Sequence, residues 1–212
     1  MNLLIVGATG PTGRLLVQQA LRDGHVVTAL ARQPAALADL AAPCLRVVAG
    51  DVLQPATLAA ACAGQEAVLS ALGRGRSLRR TRLFSAGGRN MVDAMRAAGV
   101  RRFIGLTSGG VADHDPTFNW FYQYVVRGLI LRNVYADMRR FEAYLRTEAP
   151  DIDWTIVRPT TLLDAPDHPT YRVGVGVSPP GGTRIAREHV AEFMLDQLTS
   201  RQYVHQTPTL AY

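Results

Sequence analysis

Residues 3–6 form a short unbroken apolar run that stops at Gly7, and residues 14–22 behind it carry apolar side chains at helical spacing. That order reads as strand, tight turn, helix. The unit recurs, with apolar strand-length runs at 26–30, 45–48, 67–69, 102–106 and 154–157 and helical patterns at 56–62, 83–98 and 134–147. Continuous apolar strands alternating with amphipathic helices predict a parallel sheet covered on both faces. Right-handed crossovers then make an α/β, Rossmann-like doubly wound parallel sheet with helices on both faces, whose ligand crevice lies at the carboxyl ends of the strands. At 212 residues the chain reads as a single domain spanning 1–212.

Two stretches interrupt the alternation. Residues 113–133 hold an aromatic group, Phe118, Trp120, Phe121, Tyr122 and Tyr124, followed by an apolar run from 125 to 131. A connection of that length in a compact domain is either a substrate-covering lid or carries a packed helix of its own. Residues 171–182 alternate valine with glycine and end in Pro179-Pro180-Gly181-Gly182, which suggests a small edge strand and a turn before a helix at 187–198.

The chemistry concentrates at strand ends. Gly7-Ala8-Thr9-Gly10-Pro11-Thr12-Gly13 follows a predicted strand and opens a predicted helix, the context a dinucleotide fingerprint requires. The first glycine permits the turn, the second lets backbone approach a pyrophosphate, and the third allows close helix–strand packing. Amides at the helix start then face the anion. Where NAD-specific folds place an acidic residue for the ribose hydroxyls, this chain has Ala31-Arg32-Gln33. A carboxylate there would repel a 2′-phosphate, whereas a guanidinium can pair with it, so Arg32 favours NADP(H); the alternative is a solvated surface arginine. Gly50-Asp51-Val52 follows the third strand, where a side chain can meet the adenine amine or simply close a turn.

Composition narrows the function classes. The 23 basic residues are all arginine, which excludes Schiff-base chemistry and any mechanism needing a lysine of tuned pKa. Net charge is +6 and pI about 9.9, but the densest basic cluster, Arg74, Arg76, Arg79, Arg80 and Arg82, has no interleaved aromatics to stack on bases, so no nucleic-acid partner is expected. No apolar run approaches the roughly 20 residues that cross a bilayer, and residues 1–6 lack the length and basic flank of a signal peptide. A cytoplasmic protein with no membrane partner is the expectation. Cys44 and Cys62 read as small buried side chains, and His25, His114, His168, His189 and His205 show no metal spacing, so no metal site follows. His25 reads as a turn residue, while His114 and His168 fall in loops expected near the crevice mouth.

The series GATGPTG, LARQP, GDV, SALG, LTSGG, NVYADMRRFEAYLR and DWTIVRP resembles the atypical short-chain dehydrogenase/reductase group across nearly the whole chain. Within it, the chain is similar to NmrA-like NAD(P)-binding proteins and to the biliverdin reductase B type of flavin reductase. The resemblance implies a nucleotide lying across Gly7, Thr9, Gly10, Thr12, Gly13, Arg32, Asp51, Val52, Leu72, Gly73 and Thr107. It places the nicotinamide near Ser108 and the Pro159-Thr160 turn.

Departures from the family pattern limit the carry-over. Ordinary members reduce carbonyls with a Tyr-x-x-x-Lys pair; here Tyr135 is followed four residues later by Arg139. Met138 stands where relatives carry lysine or histidine, and Thr160 where the biliverdin reductase B type has a histidine. Ser108 and Tyr135 remain the candidate proton donors, although Ser108 can equally bond backbone and Tyr135 can equally be a packing residue. Two functions fit: an NADPH-dependent reductase of a flavin, quinone or similar aromatic or conjugated small-molecule acceptor, or a non-catalytic NmrA-like NADP-sensing module. The aromatic stretch discriminates them, since a crevice lined by it suits a flat ring.

Overall fold

The computed structural model describes residues 1–73, 75, 80–112, 115, 120 and 122–212. Arg74, Arg76 and Arg79 of the basic cluster, His114, and Phe118 and Phe121 of the aromatic group lie outside the described residues. The strands are β1 (Asn2–Val6), β2 (Val26–Ala31), β3 (Leu45–Ala49), β4 (Ala67–Ser70), β5 (Arg102–Leu106), β6 (Asp153–Pro159), β7 (Thr161–Leu163), β8 (Arg172–Val175), β9 (Arg184–Ala186) and β10 (Pro208–Ala211). The α-helices are α1 (Pro11–Arg22), α2 (Pro55–Cys62), α3 (Ser85–Ala98), α4 (Arg132–Glu148) and α5 (Arg187–Asp196). The six core strands, the small edge strand (β8) and all five α-helices read from the sequence are present, with ends displaced by a few residues.

Eight strands form one sheet in the order β3-β2-β1-β4-β5-β6-β10-β8, parallel except for β8, which runs antiparallel to β10. Alternation along each strand divides the core. Leu4, Val6, Val68, Phe103 and Ile156 point to the face covered by α2, α3 and α4, while Leu3, Ile5, Leu69, Ile104 and Val157 point to the face covered by α1 and α5. Burial on both faces is what makes these strands read as unbroken apolar runs. Strand order reverses between β1 and β4, which run parallel, and that switch point is where Gly7 and Ala71 emerge side by side.

Three strands were not anticipated. β10 inserts between β6 and the edge strand β8, and β7 and β9 pair with each other outside the main sheet. Each is three or four residues long and, unlike the equally short β4, begins on a polar residue or proline, so no apolar run marks it. A 3₁₀ turn at Pro34–Leu40 after β2 was likewise unread. Cys62 is buried as expected and burial pushes its thiol up to about 11, but Cys44 is exposed, because it lies in the turn entering β3.

One buried charge ties the sheet to α4. Glu142 is 2% exposed and accepts from Thr107 Oγ1 at 2.9 Å, from Arg158 Nε at 3.1 Å and from Arg146 Nη2 at 3.2 Å, with a second bond from the Arg158 guanidinium. A bidentate pair supported by a hydroxyl is the condition under which a buried charge is tolerated. Glu142→Ala should therefore lower unfolding free energy by about 3–5 kcal/mol, since it leaves Arg158 charged and uncompensated; urea denaturation measures it, and a loss near zero would show that the pair carries no structural weight.

Candidate nucleotide-binding site

The glycine turn is built by two separate constraints. Gly7 has φ +77°, and a Cβ on it would lie 2.5 Å from the Ala71 carbonyl oxygen. A Cβ on Gly13 would lie 2.1 Å from the Gly7 carbonyl oxygen, so α1 packs on the turn only if residue 13 has no side chain. Gly10 differs. Its φ is −74°, and a Cβ there would meet only Gly7 O, at 3.4 Å, which is ordinary contact. Nothing among the described residues demands glycine at position 10.

Gly10 is also the N-cap of α1 and supplies no side-chain cap. Pro11 has no amide hydrogen, and Arg14 N already donates to Gly10 O at 2.8 Å. The amides of Thr12 and Gly13 have no partner among the described residues, so the helix presents two donors beside an open backbone position. Thr12 is buried and Thr9 exposed.

The remaining candidates line the carboxyl ends of neighbouring strands. Arg32 follows β2, is exposed, and forms no ion pair among the described residues. Asp51 closes a turn after β3: its Oδ1 accepts from Leu53 N at 2.9 Å and its amide donates to Thr57 Oγ1 at 3.1 Å. Val52 is buried against α3, and its carbonyl accepts from Asn90 Nδ2 at 2.8 Å, a tether that no local pattern signalled. Leu72 and Gly73 continue from β4, with the Leu72 amide 2.9 Å from the place a Gly7 side chain would occupy.

Beyond β5 the hydroxyls gather. Thr107 gives its hydroxyl to Glu142, so that side chain is turned toward the buried pair. Ser108 Oγ accepts from Gly110 N at 3.3 Å and caps the 3₁₀ turn Gly109–Val111. Gly110 lets two phenols reach that turn: a Cβ there would lie 2.6 Å from the Tyr135 hydroxyl and 2.7 Å from that of Tyr122. The two phenols are hydrogen-bonded to each other at 3.0 Å. Tyr135 is 5% exposed, so it is a packed residue whose hydroxyl nonetheless ends at the turn. Burial and the Tyr135 phenol push the Tyr122 pKa upward, which keeps Tyr122 protonated at neutral pH.

The β6 end closes this group. Gly109 sits against the Pro159-Thr160 turn, with the Pro159 carbonyl 3.3 Å and Thr160 Cγ2 3.7 Å from its would-be Cβ. The Thr160 hydroxyl donates to Leu210 O in β10 at 3.0 Å. Ser108, Tyr135, Pro159 and Thr160 therefore converge, as do Gly7, Gly10, Gly13 and Leu72. The sequence picked out Tyr122 only as a member of an aromatic group and missed Glu142 and Asn90, whose partners outside their own helices lie 16 or more positions away. Of the histidines, His168 stacks on Tyr212 at 5.0 Å between ring centroids, and His25 Nδ1 meets the amino terminus at 3.3 Å. A surface hollow of about 580 Å³ between α1 and α5, lined by Leu15, Gln18, Gln19, Asp39 and Glu188, touches none of the candidates.

A family model described as NAD(P)H-binding matches residues 7–201, nearly the whole chain. The chain belongs to the NAD(P)H-binding family. Among solved structures it is similar to a putative exported protein from Burkholderia pseudomallei, at 28% identity over 100% of both chains with a TM-score of 0.79. Two others share the fold at lower identity. A short-chain dehydrogenase/reductase from Veillonella parvula in complex with NADP has 19% identity and TM-score 0.78 over 100% of this chain and 94% of that one. ChuY, an anaerobillin reductase from Escherichia coli O157:H7, has 23% identity and TM-score 0.77 over 100% and 97%. The photosystem II assembly factor Ycf39 of Synechocystis is 34% identical over 106 residues, 49% of this chain, and the matched stretch spans only 32% of that protein. No helix among the described residues is long and apolar enough to cross a membrane.

The three glycines should separate in a stability measurement. Gly10→Ser puts a favoured N-cap residue where its hydroxyl can accept from the Thr12 or Gly13 amide, so unfolding free energy should hold or rise by a few tenths of a kcal/mol. Gly13→Ser should lower it by more than about 1 kcal/mol, because the new side chain collides with backbone that cannot move aside. Equal losses in urea melts would refute the distinction.

Proposed function

We propose that this member of the NAD(P)H-binding family is an NADPH-dependent reductase of flat, conjugated acceptors of the flavin or quinone class. The observation that carries the reading is the hydroxyl group at the β5 end: Tyr135, hydrogen-bonded to Tyr122 at 3.0 Å beside Gly110 and Ser108, in a chain that has no lysine to partner it. When bound, NADPH supplies a hydride. Gly10 leaves room for the pyrophosphate, the Thr12 and Gly13 amides donate to it, and Arg32 pairs with the 2′-phosphate. Asp51 and Val52 flank the adenine, and Leu72, Gly73 and Thr107 border the ribose and nicotinamide.

The acceptor side follows from what the hydroxyls can do. Reducing an isolated carbonyl builds alkoxide charge that calls for a tuned general acid, a contribution typically worth 10²- to 10⁴-fold. Tyr135 here has a neutral phenol as its neighbour where the wider group has an ammonium. A conjugated ring spreads the incoming charge over its own atoms, so a weak donor is enough. Tyr135 holds that proton at the turn, Tyr122 replaces it along the shared hydrogen bond, and Ser108 and the Pro159-Thr160 turn bound the ring. The NADP complex of the Veillonella neighbour and the anaerobillin reductase ChuY are consistent with this reading.

Arg32→Ala should reduce the preference for NADPH over NADH about tenfold, the worth of one charged hydrogen bond. Equal affinity of the unaltered protein for the two cofactors would overturn the Arg32 assignment. Gly10→Ser should lose NADPH binding although the fold is intact, because its hydroxyl occupies the anion-binding amides. NADPH oxidation should be seen with FMN or a quinone and not with simple ketones, and it should fall in Tyr135→Phe. Fast turnover of a simple ketone would refute the mechanism, and no turnover with any acceptor would assign the protein to the non-catalytic NADP-sensing class.

A further inference from the structure

The segment that carries Tyr122 has a second face that the site does not use. Tyr122–Ile130 is a π-helical turn, closed by Leu131 N donating to Val126 O at 2.8 Å, and such a turn brings residues roughly four to five apart onto one side. Trp120, Tyr124 and Leu129 follow that spacing. They are 71%, 68% and 75% exposed, and Ile130 beside them is 45% exposed. Four of the nine large hydrophobic residues that stand exposed among the described residues therefore fall within eleven positions. The others are Met1 beside Val26, Leu53, and the pair Val175 and Val177, none of which brings an aromatic ring to the surface.

Charge is distributed just as unevenly. Residues 116–136 contain Arg127 and Arg132 and no acidic residue, and residues 67–88 contain five arginines and no acidic residue. The chain brings these stretches together: Arg80 and Arg82, both exposed, precede Phe84, whose amide donates to Asp137 of α4 at 2.9 Å. Asp137 lies five residues along α4 from the exposed Arg132, and it is itself buried. Arg132, two residues beyond Ile130, is exposed, and Arg127 lies within the segment itself, so the carboxyl-terminal end of the apolar ridge carries arginine.

We infer that the Trp120–Tyr124–Leu129 ridge docks the protein on an anionic lipid surface, with the flanking arginines meeting the headgroups. An apolar face that bears tryptophan and tyrosine and is edged by arginine is the composition of a segment that lies in a membrane interface without spanning it. Neither part is sufficient alone, since stable surface attachment takes an apolar anchor together with a basic patch. A second copy of the chain is a poorer occupant, because a two-fold interface through this ridge would set its arginines against their own counterparts. The inner side of the same segment presents Tyr122 to Tyr135, so docking sets the proposed acceptor site against the lipid. Resting on the reductase reading, this narrows the acceptor to a lipid-dissolved quinone, which takes the hydride from NADPH and one proton to become the hydroquinone, leaving NADP⁺.

The full chain is sedimented with phosphatidylcholine vesicles and with vesicles in which a third of the lipid is phosphatidylglycerol. Binding to the anionic vesicles should exceed binding to the neutral ones at least about tenfold and weaken as salt rises. Arg132→Gln should reduce it roughly fivefold, and Tyr124→Asp combined with Leu129→Asp should abolish it, with circular dichroism and NADPH affinity retained in both variants. Of the two tryptophans Trp154 is buried, so the fluorescence change on binding reports Trp120. Equal sedimentation with neutral vesicles, no sedimentation with either, or binding unaltered in the double variant would overturn the proposal. A concentration-dependent dimer in vesicle-free solution, lost in the double variant, would assign the ridge to a second copy. The acceptor arm is separate: the double variant should slow NADPH oxidation by a long-chain quinone held in anionic vesicles and spare a water-soluble quinone. Failure of both quinones with the unaltered protein sinks the reductase reading and leaves the sedimentation result standing.

Discussion

The buried Glu142 carboxylate is the constraint on which the rest of the site depends. It collects a hydroxyl from the end of β5, a guanidinium from β6 and a second guanidinium from its own helix, and it does so where water is excluded. Such a charge cannot shift without leaving donors unpaired at low dielectric, so the register of α4 against the two strands is held by electrostatics as well as by packing. Tyr135 lies seven residues before Glu142, two turns along the same face of α4. Holding one residue therefore places the other, and the phenol arrives at the Ser108–Gly110 turn because the carboxylate two turns away is held.

The glycine turn shows a division of labour that a motif conceals. Gly7 and Gly13 are required by the chain's own backbone, which leaves no room for a side chain at either position. Among the described residues nothing requires glycine at position 10, and none pairs with the two amides beside it at the helix start. An uncapped helix terminus gives up the stability that a serine or aspartate would supply. Keeping it open is consistent with a ligand that provides the cap in place of a side chain, which is where family membership and local geometry meet.

The π-helical segment joins two environments in one short element. Its inner side contributes Tyr122 to the hydroxyl pair, while its outer side exposes aromatic and aliphatic groups among arginines. A wider helical turn separates these faces differently from an α-helix, and departures of this kind are found most often where a segment serves a function that regular packing would not support.

The alternation of apolar runs with helical periods determined the α/β class, the six long strands and the five α-helices. The glycine spacing determined the tight turn after β1 and the start of α1, since each of these signals is local and is written within a few residues. The total absence of lysine was equally plain in the sequence, and it bounded the chemistry before any geometry was known. What the tertiary structure alone decided was whatever depends on groups distant along the chain. β10 is a strand because β6 and β8 offer it edges on both sides, and four residues carry no period of their own. Asn90 holds Val52 across 38 positions, Glu142 holds Arg158 across 16, and Tyr122 meets Tyr135 only because Gly110 lets both approach. The aromatic stretch could be read as lid or core while it was only a composition. Folding gave one of its tyrosines to the site and the ridge of Trp120, Tyr124 and Leu129 to the surface, because a helix has two sides and only its neighbours decide which one is covered.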